Sequence, residues 1–147
     1  MFYSMKKVII LFAITLLSFT AYGKEQVIDY EQLPARARAI IERHFSKSEI
    51  VVVHQEGIGR HAEYEIDFFN GGELEFDDDG DLTSVEVKSG SVPADLIPQA
   101  IREAVEGRYS SFRIVKYKVE RRGYEVELSN GLEIEFDESF NITKIDN

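Results

Sequence analysis

The chain has 147 residues, 44% hydrophobic and 30% charged, with 27 acidic side chains against 17 basic ones and three histidines. Cysteine is absent, which excludes disulfide staples, a CxxC redox pair, a cysteine nucleophile, a cysteine zinc site and a lipid-anchoring cysteine. The length excludes a large multidomain enzyme, and a net charge of −10 argues against nucleic acid as a partner, because phosphates need lysine and arginine to release their counterions.

The first element is an address. Lys6 and Lys7 precede an apolar run from Val8 to Phe19, and Ala21-Tyr22-Gly23 closes it with small residues at the two positions a signal peptidase reads. The run is too short for the ~20 residues of a permanent membrane span. Residues 1–23 are therefore expected to be a cleaved signal peptide rather than an uncleaved anchor. Export to the periplasm or the medium is the consequence, with no membrane attachment after cleavage. The removed piece carries two lysines and no acid, so the net charge moves from −10 to −12.

The rest of the chain reads as one unit written twice. Tyr64-Glu65-Ile66-Asp67 through Glu73-Leu74-Glu75-Phe76-Asp77 aligns with Tyr124-Glu125-Val126-Glu127 through Glu133-Ile134-Glu135-Phe136-Asp137 at an offset of 60. Upstream the offset is 64, placing Leu33-Pro34 on Ile97-Pro98 and Ile50-Val51 on Ile114-Val115. The difference falls between Gln55 and Glu63, where the first copy has the longer loop. The expected organisation is a first repeat over 24–88, a linker over 89–95 and a second repeat over 96–147.

In chain order, a helix is predicted to open at Pro34, with Leu33, Ala37, Ile40, Ile41, His44 and Phe45 on one stripe. Four strands of period two come next, near 49–55, 62–69, 72–77 and 82–88. A second helix opens at Pro98 with Ile97, Ile101, Ala104, Val105 and Tyr109 on its stripe, and strands succeed it near 113–120, 123–129, 132–137 and 141–146. Asn70-Gly71, Asp79-Gly80 and Asn130-Gly131 read as two-residue hairpin turns. The fold class is α+β: two tandem α-β4 repeats, an antiparallel sheet with both helices on one face and the other face open.

Alternation sends Glu65, Asp67, Glu73 and Glu75 out from the first copy, and Glu125, Glu127, Glu133 and Glu135 out from the second. Lys116 and Lys118 offset the second set, whereas the first has only Val52, His54 and Glu56 on the neighbouring strand. Like charges opposed across strands weaken a sheet. Such a face is a solvated surface, a docking surface for a cationic protein or peptide, or a bed for a divalent cation. Two smaller candidates for metal accompany it. Asp77, Asp79 and Asp81 form an acidic turn, but an EF-hand loop needs glycine at its sixth position and glutamate at its twelfth, where Leu82 and Lys88 stand. His54 and His61 flank the longer hairpin and, with Glu56 or Glu63, offer zinc-type ligands. No GxSxG, HExxH, P-loop or GxGxxG occurs, so no enzyme and no cofactor is expected.

The repeat resembles the PepSY-like, β-lactamase-inhibitor-protein-like domains secreted by Bacteroidetes-type bacteria. The shared features are the Leu33-Pro34 helix start, Tyr64-Glu65-Ile66, the Asn70-Gly71 turn, and Glu75-Phe76-Asp77-x-x-Gly80-x-Leu82 leading into the last strand. The resemblance covers about residues 33–147. It implies tandem α-β4 units and a non-enzymatic, extracytoplasmic role in binding or inhibiting a protein or peptide. It carries over no catalytic residue. The β-lactamase inhibitor proteins themselves use disulfides and an aromatic concave face. This chain has neither, so β-lactamase inhibition is not predicted.

Overall fold

The structure is a computed structural model and describes residues 25–147; the expected signal peptide lies outside the described residues. Nine strands form one antiparallel sheet in chain order: β1 (Glu25–Val27), β2 (Ile50–Glu56), β3 (Glu63–Phe68), β4 (Glu73–Phe76), β5 (Leu82–Glu86), β6 (Ile114–Glu120), β7 (Gly123–Leu128), β8 (Glu133–Asp137) and β9 (Ile142–Asp146). Helix α1 (Ala35–His44) enters between β1 and β2, and α2 (Gln99–Tyr109) between β5 and β6.

Both helices give their buried stripe to a single core. Ala37 and Ile41 of α1, with Ile101 and Val105 of α2, pack with Ile66, Leu74, Phe76 and Val85 and with Val126, Leu128, Ile134 and Phe136 of the sheet. The helices therefore share one face and leave the other open. The prolines sit one position earlier than the sequence predicts. Pro34 and Pro98 are the residues before the first helical turn, and their carbonyls accept the first helical N–H bonds, from Arg38 and Arg102 (3.1 Å each).

The glycine turns also differ from expectation. Phe68 N–H donates to Gly72 O (3.0 Å) and Leu128 N–H to Leu132 O (2.8 Å), so each loop holds three residues, not two. Only Gly71 and Gly131 take positive φ there, while Asn70 and Asn130 use their side chains to accept from Gly72 and Leu132 N–H. A type I turn followed by a left-handed residue is the three-residue solution to a hairpin, and it needs one glycine rather than two permissive residues.

The β4–β5 and β8–β9 turns are built alike. Asp77 Oδ1 accepts from Asp79 N–H (3.0 Å) and Asp81 N–H (2.9 Å); Asp137 Oδ1 accepts from Ser139 and Asn141 N–H (2.9 Å each). The left-handed position is Gly80 in one turn and Phe140 in the other. The register is also the same in both halves: Glu73↔Glu86, Leu74↔Val85 and Glu75↔Ser84 against Glu133↔Asp146, Ile134↔Ile145 and Glu135↔Lys144.

The pattern of the eight longer strands does not announce β1. It stands on β2 as β5 stands on β6. Ile28 N–H donates to Val53 O (3.0 Å), just as Val85 pairs with Tyr117. Across the middle of the chain, β5 pairs directly with β6, and Val92 is buried in the core, so the sheet and core run on without a break.

Candidate functional site

The open face carries two rows of paired positions across the whole sheet. One runs through His54, Glu65, Glu75, Ser84, Lys118, Glu125, Glu135 and Lys144. The other runs through Val52, Asp67, Glu73, Glu86, Lys116, Glu127, Glu133 and Asp146. All eight carboxylates read from the alternation thus lie on this face. Glu125, Glu127, Glu133 and Glu135 are framed by Lys116 and Lys118 on one side and Lys144 on the other. Glu65, Asp67, Glu73 and Glu75 have His54 on one side and Ser84 on the other.

The electrostatics reflect that difference. Glu65, Glu73 and Glu75 bring carboxylate oxygens within 4.8 Å of one another. The Glu73 carboxyl is pushed up to about 7, first by burial, then by the Glu65 charge and by a hydrogen bond shared with Glu75. Burial, followed by the Asp67 and Glu75 charges, also raises Glu65. In the second half burial raises Glu125, with Glu133 and Glu120 adding to it and Lys116 pulling the other way.

His54 belongs to this face. Its Nδ1 lies 3.1 Å from Glu25 Oε1 and its Nε2 3.7 Å from Asp67 Oδ2. Glu25 comes from β1, so sequence reasoning missed this partner. The echo of Val27-Ile28-Asp29 in Ser84-Val85-Glu86 and Lys144-Ile145-Asp146 is the signal that marks that strand. His61 stands on the single 3-10 turn Gly59–His61 of the outer hairpin and is exposed. Among the described residues, the groups of three or more metal-type ligands are Glu65, Glu73, Glu75 and Asp77, Asp79, Asp81; neither contains a histidine.

The aspartate turn has other work. Asp77 holds the hairpin together through its two backbone bonds, and Asp81 pairs with Arg36 of α1 at 2.6 Å. His44, at the end of α1, is largely buried and places Nε2 3.0 Å from Asp95 Oδ2, tying the first helix to the segment before α2. The sequence pattern places His44 on the helix stripe but does not name that partner.

A groove of about 400 Å³ opens on the acidic side of the sheet. Glu25, Glu56, Glu63, Glu65, Glu75 and Asp77 line it, against Lys118 and His54, and Val119 and Thr83 supply part of its wall. A more open counterpart in the second half is lined by Glu120, Glu135 and Asp137, and there Arg121 and Arg122 stand beside the acids.

The class is that of a helix-backed, open-faced antiparallel sheet carrying a charged groove. The chain belongs to the family described as "Putative beta-lactamase-inhibitor-like, PepSY-like", which matches residues 20–66 and 62–144. No curated protein matches it. Solved structures do. One, described as "a putative periplasmic protein from DUF2874 family" from Bacteroides vulgatus, is 36% identical, with a TM-score of 0.79 over 84% of this chain and 98% of that one. Another, from Bacteroides thetaiotaomicron, is described as "a putative calcium-regulated periplasmic protein". It is 36% identical, with a TM-score of 0.76 over 84% of this chain and 97% of that one. A third, also from B. vulgatus and described as of unknown function, is 33% identical, with a TM-score of 0.75 over 84% and 100%. No helix among the described residues is long and apolar enough to cross a membrane. Like these relatives, the chain is an extracytoplasmic protein.

Proposed function

We propose that the protein is a non-enzymatic periplasmic binding module that takes a cationic segment of a protein or peptide on the open face of its first half, binding or inhibiting its owner. One observation carries the reading: six carboxylates surround the groove against one lysine and one histidine. Burial first, and then the Glu65, Glu75 and Asp67 charges that the chain leaves uncompensated, raise the Glu73 carboxyl to about 7. A cationic partner relieves that repulsion, steers its own approach and gains specificity from it. The reading includes the architecture. Residues 24–88 and 96–147 are two copies of one α-β4 unit joined by 89–95. The second copy offsets part of its acid with Lys116, Lys118 and Lys144, and the first has Val52, His54 and Ser84 at those positions.

The test is titration of a lysine- and arginine-rich peptide into the chain from Lys24 onward, at low and physiological salt. Binding that weakens with salt, and is lost when Glu65, Glu73 and Glu75 become glutamine, supports the reading. Binding indifferent to those three glutamates sinks it. A second reading is that the same face takes a divalent cation. It is favoured by the convergence of Glu65, Glu73 and Glu75 and by the description of the B. thetaiotaomicron relative as calcium-regulated. A calcium-dependent rise in melting temperature that Glu73→Gln abolishes favours this second reading. Equal melting in calcium and chelator removes it.

A further inference from the structure

Among the described residues the sheet does not close, and its β9 edge is self-complementary. Leu128 N–H bonds Leu132 O (2.8 Å), which sets the order of the β7–β8 ladder. Ile134, two residues on from Leu132, then turns its peptide toward Val126 of β7, and Glu133 and Glu135 turn theirs toward Asp146 and Lys144 of β9. Lys144 and Asp146 are thus used by β8. Ile145 between them points its N–H and C=O away from the sheet. Among the described residues β9 pairs with β8 alone. The corresponding strand in the first half, β5, is covered by β6, and there Val85 is fully buried; Ile145, at the same register position, is 39% exposed.

We propose that β9 is a homodimerisation edge, pairing antiparallel with β9 of a second copy about a two-fold axis through Ile145. In that register Ile145 faces Ile145 of the second copy on the helix side of the sheet. The two exchange the N–H and C=O groups that β8 leaves free. On the open side, Lys144 of each copy stands opposite Asp146 of the other, so both cross-strand pairs are of opposite charge. A lysine on an edge strand ordinarily discourages pairing; Lys144 Nζ already pairs with Asp146 Oδ2 of its own strand at 2.6 Å, and the symmetric register joins the two such pairs into an alternating four-charge cluster. The axis is normal to the sheet, so an isologous dimer keeps both acidic faces on the same side. The contact is short, so the dimer depends on concentration. The proposal stands apart from the reading of the acidic groove, whose carboxylates all lie in the other half.

The experiment is sedimentation equilibrium of the chain from Lys24 onward over a series reaching millimolar concentration. The expected result is a mass rising from one chain to two. Lys144→Glu sets acid against acid twice and should weaken the dimer by about tenfold. Combining it with Asp146→Lys restores opposite charges in both pairs and should restore the dimer. These side chains are exposed, so unchanged circular dichroism separates the effect from misfolding. A monomer throughout, a dimer indifferent to Lys144→Glu, a double variant that stays monomeric, or a ladder of masses above two chains would each overturn the proposal.

Discussion

Gly80 sits where two demands meet. Its φ of +82° is left-handed, and a Cβ there would lie 2.8 Å from Pro34 Cβ and 2.9 Å from Ala37 N, at the start of α1. Gly80→Ala should therefore cost about 1–3 kcal/mol, read as a drop in denaturation midpoint at constant m. Phe140 holds the equivalent position with φ 64 and turns its ring onto Tyr124, with centroids 5.1 Å apart. Glu73 makes a pH prediction. Its folded pKa stands above the unfolded one, so its contribution to stability is complete below about pH 4.5 and is lost as the pH rises through about 7. Melting temperature should fall across that window. Glu73→Gln should flatten the fall and raise stability at pH 8 by roughly 1 kcal/mol once solvent screening is discounted. Asp137 acts in the opposite sense: its carboxyl is held low, first by the backbone bond from Asn141, and that contribution disappears only in stronger acid.

At the scale of elements, alternation is enough to place eight strands and the face of the eight carboxylates read from it, because a residue's side of a sheet depends only on parity; Glu86, in the same row, is not among them. The stripes of α1 and α2 were legible from the 3.6-residue helical period. Truncating the centre of one stripe, Ile41→Ala, should cost about 2–5 kcal/mol by equilibrium unfolding, since Ile41 is fully buried. Whatever depends on distance through space could not be read. The strand β1 is three residues long, too short for a period to show, and Glu25 reaches His54 only because β1 lies beside β2. The three-residue turns escaped because Asn-Gly suits both turn types, and the choice rests on whether one residue or two takes positive φ. His44 was placed correctly on its stripe, but its pairing with Asp95 joins segments separated by four strands.

For the whole molecule, the β5–β6 ladder and the shared core join the two halves. Unfolding should be a single transition, with tyrosine fluorescence and far-ultraviolet dichroism giving the same midpoint in urea; two separated midpoints would show that the halves unfold independently. Charge is shared less evenly than structure. The least compensated acid lies on β3 and β4 and the offsetting lysines on β6 and β9, so one sheet presents a strongly negative end and a less negative one.

The strands lie side by side in the order in which they are made. A chain that crosses a membrane unfolded and N-terminus first delivers β1 to the far side before β2, and β2 before β3. Each arriving strand finds its neighbour already present and never waits for a distant one. Six of the eight connections are short hairpins and the two longer ones carry α1 and α2, so the entropy of closing them stays modest. Such a sheet can zip up as it emerges. Its growing edge at any moment is the strand last delivered, and the next strand to arrive covers it.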